Sequence, residues 1–336
     1  IRSSDGFQCA REWSAPHLMI DYVDNIMSLE LEKKQRYEIP NELMRSPKFS
    51  CNAKTRLHLR NDAKFVINAN VAGMNNNLIL TQLPLRNTVM AFHRSVIEQS
   101  PLAVIMLVKK EEIVGDLYYP YKEGGEMKIE EGSRILTVRN IEVGAIGSIR
   151  VSKLVAEVKG EGSATFLHYY VPNYADLAQC NGPSAIFDDI VEVLDKTLIE
   201  SEKRPIFVHC FEGTGPTGAV ALALDIAQAV IATGRVSPIA VGKEIRKARD
   251  GAIQTPFVLL LRLPEDKNSE VDIVDNFEAA IRHVVDANRR RARPITQGSK
   301  SIEPVKTEKT VDMKEKSRTI SANTAPTIAK TATKKI

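Results

Sequence analysis

Apolar residues in this chain fall into short unbroken runs and into longer stretches that repeat every three to four positions. Ala103-Val104-Ile105-Met106-Leu107-Val108 and Ile206-Phe207-Val208 have no polar member, which is the pattern of strands covered on both faces. Arg56-Leu57-His58-Leu59 and Lys64-Phe65-Val66-Ile67-Asn68-Ala69-Asn70 alternate in polarity and predict half-buried strands. From Ile135 to Val158 short alternating runs are separated by glycines and charges. They predict an antiparallel meander that Thr165 to Tyr170 continues. Helical spacing covers Leu18 to Leu29, Val89 to Gln99, Ile186 to Leu198, Thr217 to Thr233, Val241 to Ala248 and Ile273 to Val285. Pro40-Asn41-Glu42 reads as the capped start of a short turn.

Composition narrows the class. Of 336 residues, 43% are hydrophobic and 26% charged, ordinary values for a soluble globular chain. No stretch approaches the apolar length needed to span a bilayer. The net charge of +4 conceals a split: from Arg289 onward, thirteen Lys and Arg face four Asp and Glu. That leaves +9 in the tail and −5 in the rest. The tail is rich in Lys, Thr, Ser, Ala and Pro without aromatic residues or apolar periodicity, so it predicts a basic disordered segment over 291–336. Arg289-Arg290-Arg291-Ala292-Arg293 suits a nuclear address or a contact with nucleic acid or an anionic surface. A solvated helix end beside that tail explains it more simply. Four cysteines, Cys9, Cys51, Cys180 and Cys210, do not suggest a disulfide framework. A reducing cytoplasm is the expected compartment, the nucleus the second choice. A start at Ile1 instead of methionine leaves room for further domains ahead of it.

Chemistry concentrates in Pro205-Ile206-Phe207-Val208-His209-Cys210-Phe211-Glu212-Gly213-Thr214-Gly215-Pro216-Thr217-Gly218. A buried strand runs into a glycine-punctuated loop that opens a long helix. That arrangement gathers backbone N–H groups and a helix dipole into an anion cradle. A cysteine at its mouth is a candidate nucleophile. The stretch resembles the signature loop of the protein tyrosine phosphatases, His-Cys, five residues, Arg, then Ser/Thr and Gly. The resemblance implies Cys210 as nucleophile and a phosphate-binding loop of His209, Phe211, Glu212, Gly213, Thr214, Gly215, Thr217 and Gly218. Where the family places its arginine this chain has Pro216, which has neither a side-chain donor nor an N–H. It is nevertheless at ease at the start of a helix. Where the family usually has alanine this chain has Glu212, a carboxylate expected to repel phosphate.

Further matches keep the family's order over roughly residues 40–290. Lys64 to Asn70 is similar to its strand ending in Ile-Asn-Ala-Asn, Ile79 to Thr88 to its Ala-Thr-Gln-Gly-Pro segment, and Tyr118-Tyr119-Pro120 to its Tyr-Trp-Pro. These positions are expected to form core. The resemblance implies an α/β (α+β) domain over 1–290 with a cysteine-based phosphatase fold: a central twisted mixed β-sheet flanked by helices on both sides. It also implies a general acid at Asp176, with Tyr174-Ala175-Asp176 in place of Trp-Pro-Asp. Alignment on Pro172 puts Asn173 there instead. The water-positioning glutamine matches Gln254, and the tyrosine that stacks on substrate is replaced by Ser46, which has no aromatic face. No cofactor or metal is implied.

Three readings follow. Loss of the arginine, an added carboxylate and loss of the stacking ring favour a pseudophosphatase that binds a protein partner, tyrosine-containing or phosphorylated on tyrosine. Retention of Cys210, Asp176 and Gln254 suits a slow or atypical phosphatase. The split charge suits a function carried by the tail.

Overall fold

The computed structural model describes residues 35–172 except 114 and 116, residues 204–253 except 234–236, and the single positions Ile26, Leu29, Glu32 and Val193. The expected helix at 273–285, those at 186–198 and 18–29 except for the single positions just named, the basic tail, Cys9 and Cys180 lie outside the described residues.

Two short strands, β1 (Arg36–Tyr37) and β2 (Cys51–Asn52), pair antiparallel ahead of the main sheet. Between them Pro40 leads into a single 3-10 turn at Asn41–Leu43; the turn is as expected, but no side chain caps its start. The main sheet contains β3 (Ala69–Ala72), β4 (Leu78–Gln82), β5 (Ala103–Leu107), β6 (Glu126–Glu131), β7 (Arg134–Ile146), β8 (Ile149–Val158), β9 (Gly162–Tyr170) and β10 (Ile206–Cys210). Their spatial order is β3-β4-β10-β5-β9-β8-β7-β6. β10 runs parallel to both β4 and β5, and β5 parallel to β9, while the remaining pairs are antiparallel. The sheet is therefore mixed.

Helices cover both faces, α1 (Val89–Gln99) on one and α2 (Gly215–Thr233) with α3 (Pro238–Ala248) on the other. The two-residue period of a strand sorts the core. Ile206, Val208 and Cys210 pack with α2 and α3, and Phe207 packs with α1. Val220 to Leu224 of α2 are all buried, so this helix lacks a polar stripe and behaves as core. Its Asp225 is the exception, fully buried and accepting the Met74 N–H on both carboxylate oxygens (3.0 and 3.1 Å).

Two strand expectations shrink. Arg56 to Leu59 forms only isolated bridges, Arg56 with Asn70 and Leu59 with Asp62, and Lys64 to Asn68 is not strand. Their apolar members Leu57, Leu59, Phe65 and Ile67 are buried all the same. Burial produced the alternation; the pairing is limited to a short stretch against β3, with the Leu57 N–H on Ala69 O (2.9 Å) and the Val71 N–H on Thr55 O (2.7 Å). In the opposite direction, β6 has the sequence Glu-Met-Lys-Ile-Glu-Glu and carries no clear strand pattern in the sequence because it is a charged edge strand.

Candidate active site

β4, β10 and β5 end together at Gln82, Cys210 and Leu107, and Cys210 closes the innermost of the three. Ligands of open parallel sheets bind at this carboxyl edge. The Leu83 N–H lies 2.8 Å from the Cys210 carbonyl and 3.1 Å from that of Phe211, which fixes the direction in which the loop leaves the strand. Gly213 turns it back with φ +77°, and a Cβ there would stand 2.2 Å from the Thr81 carbonyl oxygen, so only glycine fits. The Gly213 N–H then points at Cys210 Sγ, 3.3 Å away. α2 begins two residues earlier than the apolar spacing predicts, and its first bond runs from Gly218 N–H to Thr214 O (2.7 Å). Pro216 sits in that first turn, where a missing N–H costs nothing. Gly218 admits the backbone of Ala252 and Ile253, since a Cβ would lie 2.4 Å from Ile253 N.

A buried guanidinium holds the loop from behind. Arg249, one residue past α3 and 1% exposed, donates from Nε to Gly213 O (2.7 Å) and from Nη2 to Glu212 O (3.2 Å). Its Nη1 reaches Asn68 Oδ1 (2.8 Å) and Asn70 Oδ1 (2.9 Å). Burial pulls its pKa down, and the thiols of Cys51 and Cys210 and the Asp250 carboxylate oppose that pull. A second arginine, Arg45, reaches across from the 3-10 turn. It donates from Nε to Leu83 O (3.0 Å) and from Nη2 to Pro84 O (2.8 Å), and its guanidinium carbon lies 4.8 Å from the Phe211 ring centre. Ser46 Oγ accepts the Lys48 N–H (3.3 Å) and presents no ring.

His209 stands on the α1 side of β10, away from Cys210. It is fully buried, and its Nε2 lies 2.7 Å from the Tyr118 hydroxyl, which is also 2.6 Å from His168 Nε2. One hydroxyl donates to one imidazole and accepts from the other, so the two rings carry their protons on different nitrogens. His93 joins through Nε2 and the Tyr118 carbonyl (2.7 Å). Burial pushes the pKa of His209 down to about 3, that of His93 to about 4, and that of His168 well below the usual range. All three are neutral at pH 7, so His209 brings no positive charge to the thiol.

Residues His209, Cys210, Phe211, Glu212, Gly213, Thr214, Gly215, Pro216, Thr217 and Gly218 run together from the end of β10 into the first turn of α2, and the one contact shown for Ser46 among the described residues is with Lys48. Thr214 and Thr217 are buried, and Thr217 Oγ1 has no partner. Glu212 and Pro216 are partly exposed. Asp176, Asn173 and Gln254 lie outside the described residues. Two features escape a reading of the sequence. Arg249 closes an ordinary amphipathic helix, and its one signal is a position five residues before Gln254. Tyr118 is core, as expected, and also links two histidines that are distant in sequence.

Comparison with known proteins agrees with this architecture. The profile of the family described as protein-tyrosine phosphatase matches residues 41–261. The chain is 27% identical over 209 residues to human tyrosine-protein phosphatase non-receptor type 2, covering 60% of this chain and 50% of that protein. With human receptor-type tyrosine-protein phosphatase R the identity is 25% over 226 residues, covering 66% and 33%. With the probable tyrosine phosphatase protein H4 of Microplitis demolitor bracovirus (isolate Webb) it is 25% over 149 residues, covering 43% and 81%. The chain spans half or less of the length of the two human relatives. A parallel strand ending in His-Cys, a glycine-turned loop, a buried helix behind it and a family match over most of the described residues lead to one conclusion: this chain belongs to the protein-tyrosine phosphatase family.

Proposed function

We propose that the chain is a pseudophosphatase, a tyrosine-phosphatase domain that no longer hydrolyses phosphate esters and regulates phosphotyrosine signalling by binding a protein. One observation carries the reading. The loop has its glycine turn and an amide contact to sulfur, yet the position that the family resemblance assigns to the phosphate-binding arginine holds Pro216. An arginine there stabilises the equatorial oxygens of a transferring phosphoryl group through paired charged hydrogen bonds. Each such bond contributes roughly 1.5–3 kcal/mol. The partner is a tyrosine-containing or phosphotyrosine protein, met in the cytoplasm or the nucleus.

The second reading, a slow or atypical cysteine-dependent phosphatase, is favoured by the retained thiol and its N–H contact. Hydrolysis of an aryl phosphate separates the two. The native chain is expected to show no turnover, Cys210→Ser to match it, and Pro216→Arg with Glu212→Ala to gain some. Turnover in the native chain that Cys210→Ser abolishes would sink the pseudophosphatase reading.

A further inference from the structure

Between the β1–β2 pair, β3 and the end of α3 lies a cavity of about 310 Å³, at the small end of the range for ligand sites. Its walls are tied together. Asn52 Nδ2 donates to Lys247 O (2.6 Å) and Thr55 Oγ1 to Ala248 O (2.6 Å), so the turn at 53–55 is held by the last carbonyls of α3. That turn also ends the pairing along the outer edge of β3. Thr55 O accepts the Val71 N–H, whereas Ala53 turns away and donates to Gln35 O (2.8 Å). In a strand, the N–H and C=O of one residue point to the same edge and those of its neighbours to the other. Asn70 and Ala72 face β4, opposite Leu80 and Leu78. The Val71 C=O and the Gly73 N–H therefore face outward, and among the described residues neither has a partner. Both residues line the cavity.

We propose that this cavity binds an extended acidic peptide of a partner protein, whether or not the chain hydrolyses phosphate. No residue from Cys210 to Gly218 lines it, so the site is separate from the signature loop. One residue of such a peptide can donate its N–H to Val71 O and accept the Gly73 N–H on its own C=O, which continues the sheet edge by one rung. The charge of the lining selects an acidic sequence: Lys54, Arg246 and Lys247 stand against one carboxylate, Glu244. Glu244 pairs with Lys247 (2.7 Å), and Arg246 donates to Leu29 O (3.1 Å) and Ala252 O (2.6 Å), yet both cations keep their charge. Lys54 is exposed and has no ion pair among the described residues. Asp225 lies beside Gly73 but outside the lining, with both oxygens on the Met74 N–H. The apolar part of the wall, Val71, Ala72 and Ala248, suits a small aliphatic side chain next to the acidic one.

The test titrates the full-length chain with acetyl-Glu-Val-Glu-amide, following the backbone amide resonances of Lys54, Val71 and Gly73. Those of Phe211 to Gly215 serve as a reference. The first set is expected to shift and saturate, the second to stay in place. Methylating the valine nitrogen of the peptide removes the donor for Val71 O and should weaken binding about tenfold. The peptide with Gln for both Glu should bind about threefold more weakly than the acidic one. Lys54→Ala, a change at an exposed side chain, should bring the two within about twofold of each other. No saturable shift at Val71 and Gly73, or shifts confined to Phe211 to Gly215, would overturn the proposal. So would equal binding of the methylated peptide, a glutamine peptide that binds as tightly as the acidic one, or an acidic preference that survives Lys54→Ala in full.

Discussion

Acid is expected to unfold this domain through its buried histidines, and the size of the effect follows from their surroundings. His93, His168 and His209 are each fully buried around Tyr118. An unfolded histidine titrates near pH 6.5, whereas in the fold His93 and His209 titrate at about 4 and about 3. Because the folded pKa lies below the unfolded one, the unfolded state takes up protons first as the pH falls. Stability is full above about pH 6.5 and declines towards the folded values. Two pH units at about 1.36 kcal/mol each give roughly 2.5 kcal/mol per histidine at pH 4.5, and about 5 kcal/mol for this pair. His168 adds to the loss in the same direction. A whole domain is held by about 5–15 kcal/mol, so the loss is a large part of the total. Asp62 and Glu161 have lowered pKa values and release their contribution mainly below this window. The assay is urea unfolding of the full chain from pH 7.5 to 4.5, repeated with His93→Gln, which is expected to flatten the slope by one histidine's share. A stability that falls by less than about 1 kcal/mol between pH 6.5 and 4.5, or resonances of His93, His168 and His209 that titrate above pH 6, would refute the reasoning.

Asp225 works with the opposite sign. Burial raises its pKa although the Met74 N–H opposes the rise, so the carboxylate destabilises the fold increasingly as pH climbs above the ordinary carboxylate range. Asp225→Asn is expected to raise Tm at pH 8, with a gain that shrinks towards pH 4, read by thermal unfolding across that range. Arg249→Met leaves the Asn68 and Asn70 side chains and the Gly213 and Glu212 carbonyls without their shared donor. Chemical unfolding is expected to show a loss of about 3–5 kcal/mol. Tyr118→Phe strips both histidine Nε2 atoms of their partner and is expected to cost about 1–3 kcal/mol per orphaned group, measured the same way at pH 7.

The unbroken apolar runs at 103–108 and 206–208 could be read as central strands from sequence alone, because a strand with both faces covered has no place for a polar side chain. Cys210, the glycine turn and the helix after Pro216 were legible for a similar reason. Each depends on backbone geometry that few residue types permit: glycine at φ +77° in Gly213, proline in the first turn of α2. The alternation at 56–59 and 64–70 announced burial along its whole length but hydrogen-bonded pairing only in part, where Ala69 and Asn70 open β3 and Arg56 bridges Asn70. A two-residue period records which side chains face the core, and it says nothing of whether a neighbouring strand lies alongside. Edge strand β6 failed in reverse, since solvent on one side lets charge hide the period.

Only the tertiary structure decided which charges serve the loop. Arg249, Asn68 and Asn70 meet because α3 packs against β3, and Tyr118 joins His168 to His209 because β9 and β10 flank β5. Such contacts join residues up to 181 positions apart. Sequence spacing therefore holds no trace of them. Local sequence determined a cysteine at the end of a strand, a glycine turn after it and a proline in the first turn of the helix that follows. The packing of the sheet determined that the arginines near that turn face inward, bound to carbonyl oxygens.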